Sequence, residues 1–390
     1  METNADVRLG GWRYRKALVA RVGYRALRRL QVRLGHKRLL APPATINIEL
    51  TGRCNVKPPC TFCVGKNQPG YREPDHVRDF ERHWPALLRA ERVNDCSYGE
   101  PLLHPEFEAV VGRLTAAGVT FGFTTNGLLL GESRARFLAE RSAHLDMCVS
   151  FNAATAETYR QHHGRDFATV VANVERFVAL HDQLRPRTKV PLVLSFIVMR
   201  SNEHEVFDFL RLADRLGARA VLLRHLFDVR MDYAVDNFGL AFSYERERLP
   251  IERYRAIEAE VRRGFASARP PGGRRPPLEL YYVWNAQDAF IAEQSEPGVD
   301  IPCLFPWKFM SIRPVSGTFQ PCVYLKRQHV GTLDQPLAEV WNGEILRGMR
   351  RELVAGKVPR FCQEHGDPCP LVIAQREAAS AGPAAPRSSR

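Results

Sequence analysis

The chain has 390 residues, 45% of them apolar, and a formal charge of +13. That length allows one large domain or two moderate ones, and the apolar share supports a sizeable core. No stretch approaches the roughly 20 uninterrupted apolar residues that a membrane-spanning helix needs, and Arg and Lys interrupt every short apolar run from Val7 to Leu40, so a signal peptide is not expected.

Residues 1–44 read as a basic helical extension, with much of the charge excess between Arg8 and Lys37. A solvated helix is favoured over an RNA-binding arm because no aromatic platform or nucleic-acid motif accompanies it; a peripheral membrane contact through this helix stays open. Thr45–Glu49 is a β-branched run that reads as a strand. The cysteines Cys54, Cys60 and Cys63 follow it directly, at spacing C-x5-C-x2-C. A second strand, Asn94–Tyr98, ends at Gly99-Glu100-Pro101, and the helix Glu106–Ala117 is closed by Gly118. The strand Thr120–Thr125 stops at the turn pair Asn126-Gly127. The helix Ser133–Arg141, the strand His144–Phe151, the helix Phe167–Leu180, the strand Pro191–Met199, the helix His204–Leu216 and the strand Arg219–Leu226 continue the alternation. Strands and helices alternating in this way imply βαβ units and a parallel sheet, with chemistry gathered at the C-terminal strand ends.

Residues 227–300 lose the pattern and read as a connecting segment with a Pro/Gly/Arg-rich stretch at Ala266–Pro277. Residues 301–375 read as a second module built around Cys303, Cys322, Cys362 and Cys369, in which Phe309–Arg313 and Thr318–Gln320 form a hairpin and Leu337–Leu346 a short helix. Residues 376–390 read as a disordered tail. A cytoplasmic location is expected, and there the nine cysteines serve as ligands, core residues or catalytic groups rather than disulfides. On spacing alone zinc is the safer reading of the cysteine groups, since four thiolates are a common zinc set, although three clustered thiolates can also hold three corners of a cubane and leave one iron for an outside ligand.

The runs INIELTGRCNVKPPCTFC, YGEPLLHPEF, FTTNG and VSFNAATAETYRQHHGRDF resemble the radical S-adenosylmethionine (SAM) superfamily along its barrel, although the first two cysteines stand two residues further apart than is usual there. The resemblance implies a partial (β/α)6 barrel (residues 45–226) in which Cys54, Cys60 and Cys63 hold a [4Fe–4S] cluster that binds SAM. It places Phe62 beside the adenine, Gly99, Glu100 and Pro101 at the SAM amino group, and Ser150, Asn152 and Arg165 among the polar contacts to SAM, with Asn126 either touching the cofactor or making the turn. The C-terminal segment resembles the SPASM/twitch modules of the same superfamily; four cysteines fit the shorter twitch form with one fully ligated auxiliary [4Fe–4S] cluster, His365 being an alternative ligand beside the widely spaced Cys362 and Cys369.

Cys96 and Cys148, on or beside strands, are expected to pack in the core; the sharper alternative is that one donates a hydrogen atom to a substrate radical. By resemblance the reaction is reductive cleavage of SAM to a 5′-deoxyadenosyl radical that abstracts a substrate hydrogen. An auxiliary cluster with all corners ligated makes dehydrogenation of a small polar natural product, such as an aminocyclitol or sugar, the leading expectation. Epimerisation or ribosomal-peptide modification is the alternative within the family; about 44 residues before the first strand are too few for a leader-binding domain. A zinc-stabilised basic protein that binds RNA or membranes is the alternative outside it. The positive charge also suits an acidic electron donor such as flavodoxin or ferredoxin, and Arg224, His225 and Asp228 follow the last strand within reach of a substrate.

Overall fold

The computed structural model describes residues 22–57, 60–63, 81–164, 166–226, 242–269, 275–284, 298–314, 316–325, 328–365 and 369–380. Seven parallel strands lie side by side in chain order: β1 (Thr45–Ile48), β2 (Arg92–Asp95), β3 (Thr120–Thr125), β4 (Leu145–Ser150), β5 (Leu192–Val198), β6 (Ala220–His225) and β7 (Glu279–Val283). Helices return the chain between them, as the alternating pattern requires. The strands are not apolar on both faces. In β4, Leu145, Met147 and Val149 are buried while Asp146, Cys148 and Ser150 stay partly open, the period of two expected of a strand with unlike faces.

Register carries this division across the sheet. Asn47 lies beside Asn94, Gly122 beside Asp146, Thr124 beside Cys148, Ser150 beside Ser195 and Ile197 beside Arg224. The opposite, apolar face packs under the helices: Phe107 meets Phe121 and Phe123, and Phe209 meets Phe196. The inner face of the partial barrel is therefore polar.

Two features extend the expected barrel. The connecting segment contains the helix Ile251–Gly264 and the strand β7, so the parallel series gains a seventh member on β6. At the other edge, β8 (Phe309–Arg313) pairs parallel with β1, and β9 (Thr318–Gln320) and β10 (Gly331–Thr332) follow antiparallel. The hairpin of the C-terminal module is thus part of the barrel's own sheet. The helix expected over Leu337–Leu346 is two, Leu337–Trp341 and Glu344–Val354, because Asn342 leaves the helical path and pairs both ends of its amide with the backbone of Leu39. The last helix, Pro370–Ser380, runs on into the stretch read as tail.

The described part of the basic extension is docked rather than free. Residues 22–33 are helical, and the buried Arg28 pairs with Glu91 and donates to the carbonyl of Pro42. Trp307 and Trp341 donate their indole N–H to the carbonyls of His36 and Ala41. Arg350, fully buried, donates to the carbonyls of Lys37, Pro306 and Trp341. Among the described residues no helix is long and apolar enough to cross a membrane.

Candidate active site

The cysteine loop leaves β1 at the C-terminal edge of the sheet and is pinned at both ends. At its start, the N–H of Leu50 donates to Asp95 Oδ1 (2.9 Å), and those of Leu50 and Thr51 donate to Ser97 Oγ (2.6 and 2.9 Å). Gly99 N–H donates to the Thr51 carbonyl (3.1 Å) and Glu100 N–H to that of Arg53 (2.6 Å). A side chain at Gly99 would put its Cβ 2.2 Å from the Arg53 oxygen, so only glycine permits this approach. At the far end, Thr61 N–H donates to the His162 carbonyl (2.9 Å), and Tyr244 donates its hydroxyl to the carbonyl of Phe62 (2.9 Å).

Cys54, Cys60 and Cys63 form no disulfide and are partly exposed. Asn126 Nδ2 donates to Asn55 Oδ1 (2.8 Å) and lies 3.9 Å from Cys54 Sγ, while its Oδ1 accepts from Leu128 N–H (2.9 Å). Asn126 thus makes the turn and also reaches a cysteine. Cys60 Sγ lies 3.2 Å from Nδ1 of His163, a residue at the end of the helix Ala156–His163. Phe62 meets the His163 ring edge-on at 5.5 Å and packs with Met199, Leu226, Phe242 and Tyr244.

Two expected cofactor contacts are turned inward. Glu100 is 2% exposed. Its Oε1 accepts from Thr125 Oγ1 (2.7 Å) and Leu102 N–H (3.2 Å), and its Oε2 from Asn126 N–H (2.7 Å). The carboxylate therefore ties the Gly-Glu-Pro turn to the end of β3 instead of facing outward, and burial raises its pKa to about 7 despite these donors. Asn152 is completely buried, with the left-handed backbone (φ 57°) that asparagine tolerates better than most residues. Its Oδ1 accepts from Ile197 N–H (2.8 Å), and its Nδ2 donates to Ser150 Oγ (2.9 Å) and meets His163 Nε2 (3.3 Å). Both ends of the Asn152 amide are thus engaged by the protein. Arg165 and Asp228 lie outside the described residues.

Cys148 does not pack in the core. It stands on the polar inner face of β4, close to Thr124, Ser195 and Arg224, and burial raises its pKa. Cys96, just beyond β2, is exposed. Arg224 shares the inner face, whereas His225 points to the outer face, is buried, and donates Nδ1–H to the carbonyl of Val283 (3.0 Å).

The sequence reading missed His162 and His163. His162 bridges Thr61 Oγ1 (3.2 Å) and Ser201 Oγ (3.1 Å). His163 is 2% exposed; burial, reinforced by the neighbouring His162, lowers its pKa to about 3, so it is neutral. The doublet just before Gly164 was the available signal. The inner face also holds Glu49, 1% exposed, whose Oε1 lies 2.8 Å from Arg313 Nη2.

In the C-terminal module Cys303, Cys322, Cys362 and Cys369 all line one cavity, otherwise walled by Phe305, Tyr324, Leu325 and other mainly apolar residues. Burial raises the pKa of Cys303 well above the ordinary value, and the other three thiols add to the effect. Burial likewise raises Cys362, again reinforced by Cys322 and Cys369. Thiolates crowded in this way call for positive charge among them, as an iron–sulfur cluster supplies. The side chain of His365 lies outside the described residues. Among the described residues no three or more His, Cys, Asp or Glu side chains converge tightly enough to grip a single metal ion; a cubane holds its thiolates farther apart.

Residues 48–213 match the family model of the radical SAM superfamily. Mycofactocin maturase MftC of Mycobacterium ulcerans is 31% identical over 193 residues, which is 47% of this chain and 48% of that protein, so the chain spans about half the length of that relative. PqqA peptide cyclase of Gluconobacter oxydans is 26% identical over 329 residues, 80% of each chain. The crystal structure of Streptococcus suis SuiB bound to S-adenosylmethionine superimposes with a TM-score of 0.59 at 14% identity, covering 81% of this chain and 69% of that one. With the fold, the cysteine loop after β1 and these matches together, residues 48–213 are a radical SAM domain, in a chain whose relatives include SPASM-type maturases.

Proposed function

We propose that Cys54, Cys60 and Cys63 hold the SAM-binding [4Fe–4S] cluster, that Cys303, Cys322, Cys362 and Cys369 hold an auxiliary one, and that the enzyme oxidises a small polar substrate inside the barrel. Together, the cluster and SAM supply reductive cleavage of SAM and a radical able to abstract hydrogen. The chain's own residues do the rest. Asn126 and His163 approach the loop sulfurs, the Gly99 contact fixes the loop's height above β1, and the apolar cluster around Phe62 shields one side from water. Thr124, Cys148, Ser195 and Arg224 offer hydroxyl, thiol and guanidinium groups to a polar ligand on the inner face.

One observation carries the oxidative reading: four cysteine thiols line a single cavity, two of them, Cys303 and Cys322, flanking the hairpin that extends the sheet from β1. A cluster with four protein thiolates has no corner for substrate, so its role is to take up an electron. A peptide substrate is the second reading, favoured by the resemblance to PqqA peptide cyclase over most of both chains. After anaerobic reconstitution, iron and sulfide analysis should find about eight irons per chain, the content of two [4Fe–4S] clusters. Cys60→Ala should abolish formation of 5′-deoxyadenosine, whereas Cys322→Ala should keep it and lose substrate oxidation. Equal loss of both activities in both variants overturns the division of roles.

A further inference from the structure

His163 belongs to no expected set of cluster or SAM contacts, and Asn152, expected beside SAM, is buried in the protein; the two form a chain of hydrogen bonds ending on a cysteine sulfur. The Asn152 amide gives the chain its direction, with the carbonyl of Phe151 as a second neighbour of the His163 ring. The backbone N–H of Ile197 can only donate, so the Asn152 atom 2.8 Å from it is the amide oxygen. Asn152 therefore turns its NH2 the other way, and its two hydrogens meet Ser150 Oγ and His163 Nε2. An imidazole nitrogen that accepts a hydrogen bond carries no proton, and a neutral imidazole then bears its single proton on the other nitrogen. That nitrogen is Nδ1, 3.2 Å from Cys60 Sγ. The ring is held in place by a parallel stack on Tyr159 (4.6 Å, 13°) and by the edge contact of Phe62. Asn202 locks the far end, donating to the carbonyls of Asn152 and Ile197 (both 3.0 Å).

We infer that His163 is a positioning residue that donates an N–H···S hydrogen bond to the Cys60 sulfur, with Asn152 fixing the tautomer, and that this bond raises the reduction potential of the cluster held by that cysteine. The inference rests on the proposed assignment of Cys54, Cys60 and Cys63 as cluster ligands. Its physical basis is that hydrogen bonds to the sulfurs stabilise the more negative, reduced state of an iron–sulfur centre, and that such outer partners also orient the ligand. The bond is worth most here because it is withdrawn from solvent: His163 is 2% exposed.

Two substitutions separate a donor from a mere filler. His163→Phe keeps a ring of similar size and removes the donor. His163→Asn places an amide N–H near the position of Nδ1 and keeps it. Midpoint potentials are read by EPR-monitored titration of the reconstituted full chain, following the cluster whose signal responds to added SAM. His163→Phe should disfavour the reduced state about tenfold, a fall of about 59 mV for a one-electron couple, while His163→Asn should stay near the wild-type value. Equal shifts in both variants, or none in either, overturn the inference. Should His163→Phe fail to hold the cluster, wild-type protein with 15N-histidine decides the matter: a hyperfine coupling from one histidine nitrogen to the reduced, SAM-responsive cluster is expected, and its absence refutes the bond. If no SAM-responsive cluster forms in the wild-type protein, it is the ligand assignment that has failed, and the two outcomes are distinct.

Discussion

Gly99→Ala puts the loop geometry to a direct test. The new Cβ would lie 2.2 Å from the carbonyl oxygen of Arg53 and 2.7 Å from both the Gly52 carbonyl carbon and the Thr51 oxygen. All three are backbone atoms, so no side chain can swing away to make room. They are moreover held against residues 99 and 100 by the bonds from Gly99 N–H and Glu100 N–H (3.1 and 2.6 Å). Forcing a methyl group into packed space costs about 1–3 kcal/mol if the loop stays in place. If the loop moves off instead, the clash is relieved but two backbone hydrogen bonds are lost, at about 0.5–1.5 kcal/mol each, and Cys54 is carried away from Asn126. The two measurements are therefore urea unfolding of the apo-protein and iron bound after reconstitution. A variant with the wild-type unfolding midpoint and the wild-type iron content would show that the contact between residues 51–53 and Gly99 does not hold the loop.

Further predictions concern buried charge. Burial raises the pKa of Glu49 to about 7, Arg313 opposing and Asp95 adding, and that of Asp95 to about 6. A carboxyl with a folded pKa above its unfolded value binds more protons in the folded state, so stability is fullest below the unfolded pKa and falls as pH rises toward the folded one. Apo-protein should lose stability between pH 4.5 and about 7. Glu49→Gln should flatten that decline by on the order of 2–3 kcal/mol, read by urea unfolding at several pH values; an unchanged slope counts against a buried, proton-binding Glu49. Arg350→Met keeps the bulk but strands the carbonyls of Lys37, Pro306 and Trp341. It should cost at least about 1–3 kcal/mol by the same assay, the penalty for one buried carbonyl left unsatisfied. Cys148→Ser, on the inner face, should leave 5′-deoxyadenosine formation intact and alter only conversion of the substrate; loss of SAM cleavage would place the thiol elsewhere in the reaction.

The sheet was legible in the sequence because β-branched and apolar runs and glycine-closed helices are local signals: β3 falls on the expected Thr120–Thr125, and β4, β5 and β6 within a residue or so. β7 was hidden because Glu279–Val283 follows a Pro/Gly/Arg-rich stretch and none of its residues is fully buried. The grouping of Cys303, Cys322, Cys362 and Cys369 was read from resemblance to a family module, and the four line one cavity. The inward turn of Glu100 and Asn152 was not legible, because it depends on donors far away in sequence, Thr125 and Asn126 for one and Ile197 for the other. A motif names the residue types at a strand end; only the tertiary neighbours decide which of them point at a ligand and which brace the frame. His163 makes the same point in reverse, since nothing in a His-His-Gly run announces a partner 103 residues earlier.

The edge pairing of the sheet bears on how two cysteine groups can work together. A separate module on a linker would leave their relative position to the linker's fluctuations. Here β1 is shared: its C-terminal end releases the three-cysteine loop, while Thr45, Ile46 and Asn47 pair with Phe309, Met310 and Ser311 of β8. Cys303 and Cys322 flank the β8–β9 hairpin, so a continuous ladder of backbone hydrogen bonds connects the two sites. The ion pair between Glu49 at the end of β1 and Arg313 at the end of β8 (2.8 Å) closes the same seam from the inner face. Trp307, Trp341 and Arg350 brace it from the other side by holding residues 36–41. Electron transfer depends steeply on distance, so a spacing fixed by strand pairing suits two redox centres better than one left to a flexible tether. The cost of this arrangement is a buried carboxylate at Glu49, and the pH dependence expected of it is the measurable trace of that seam.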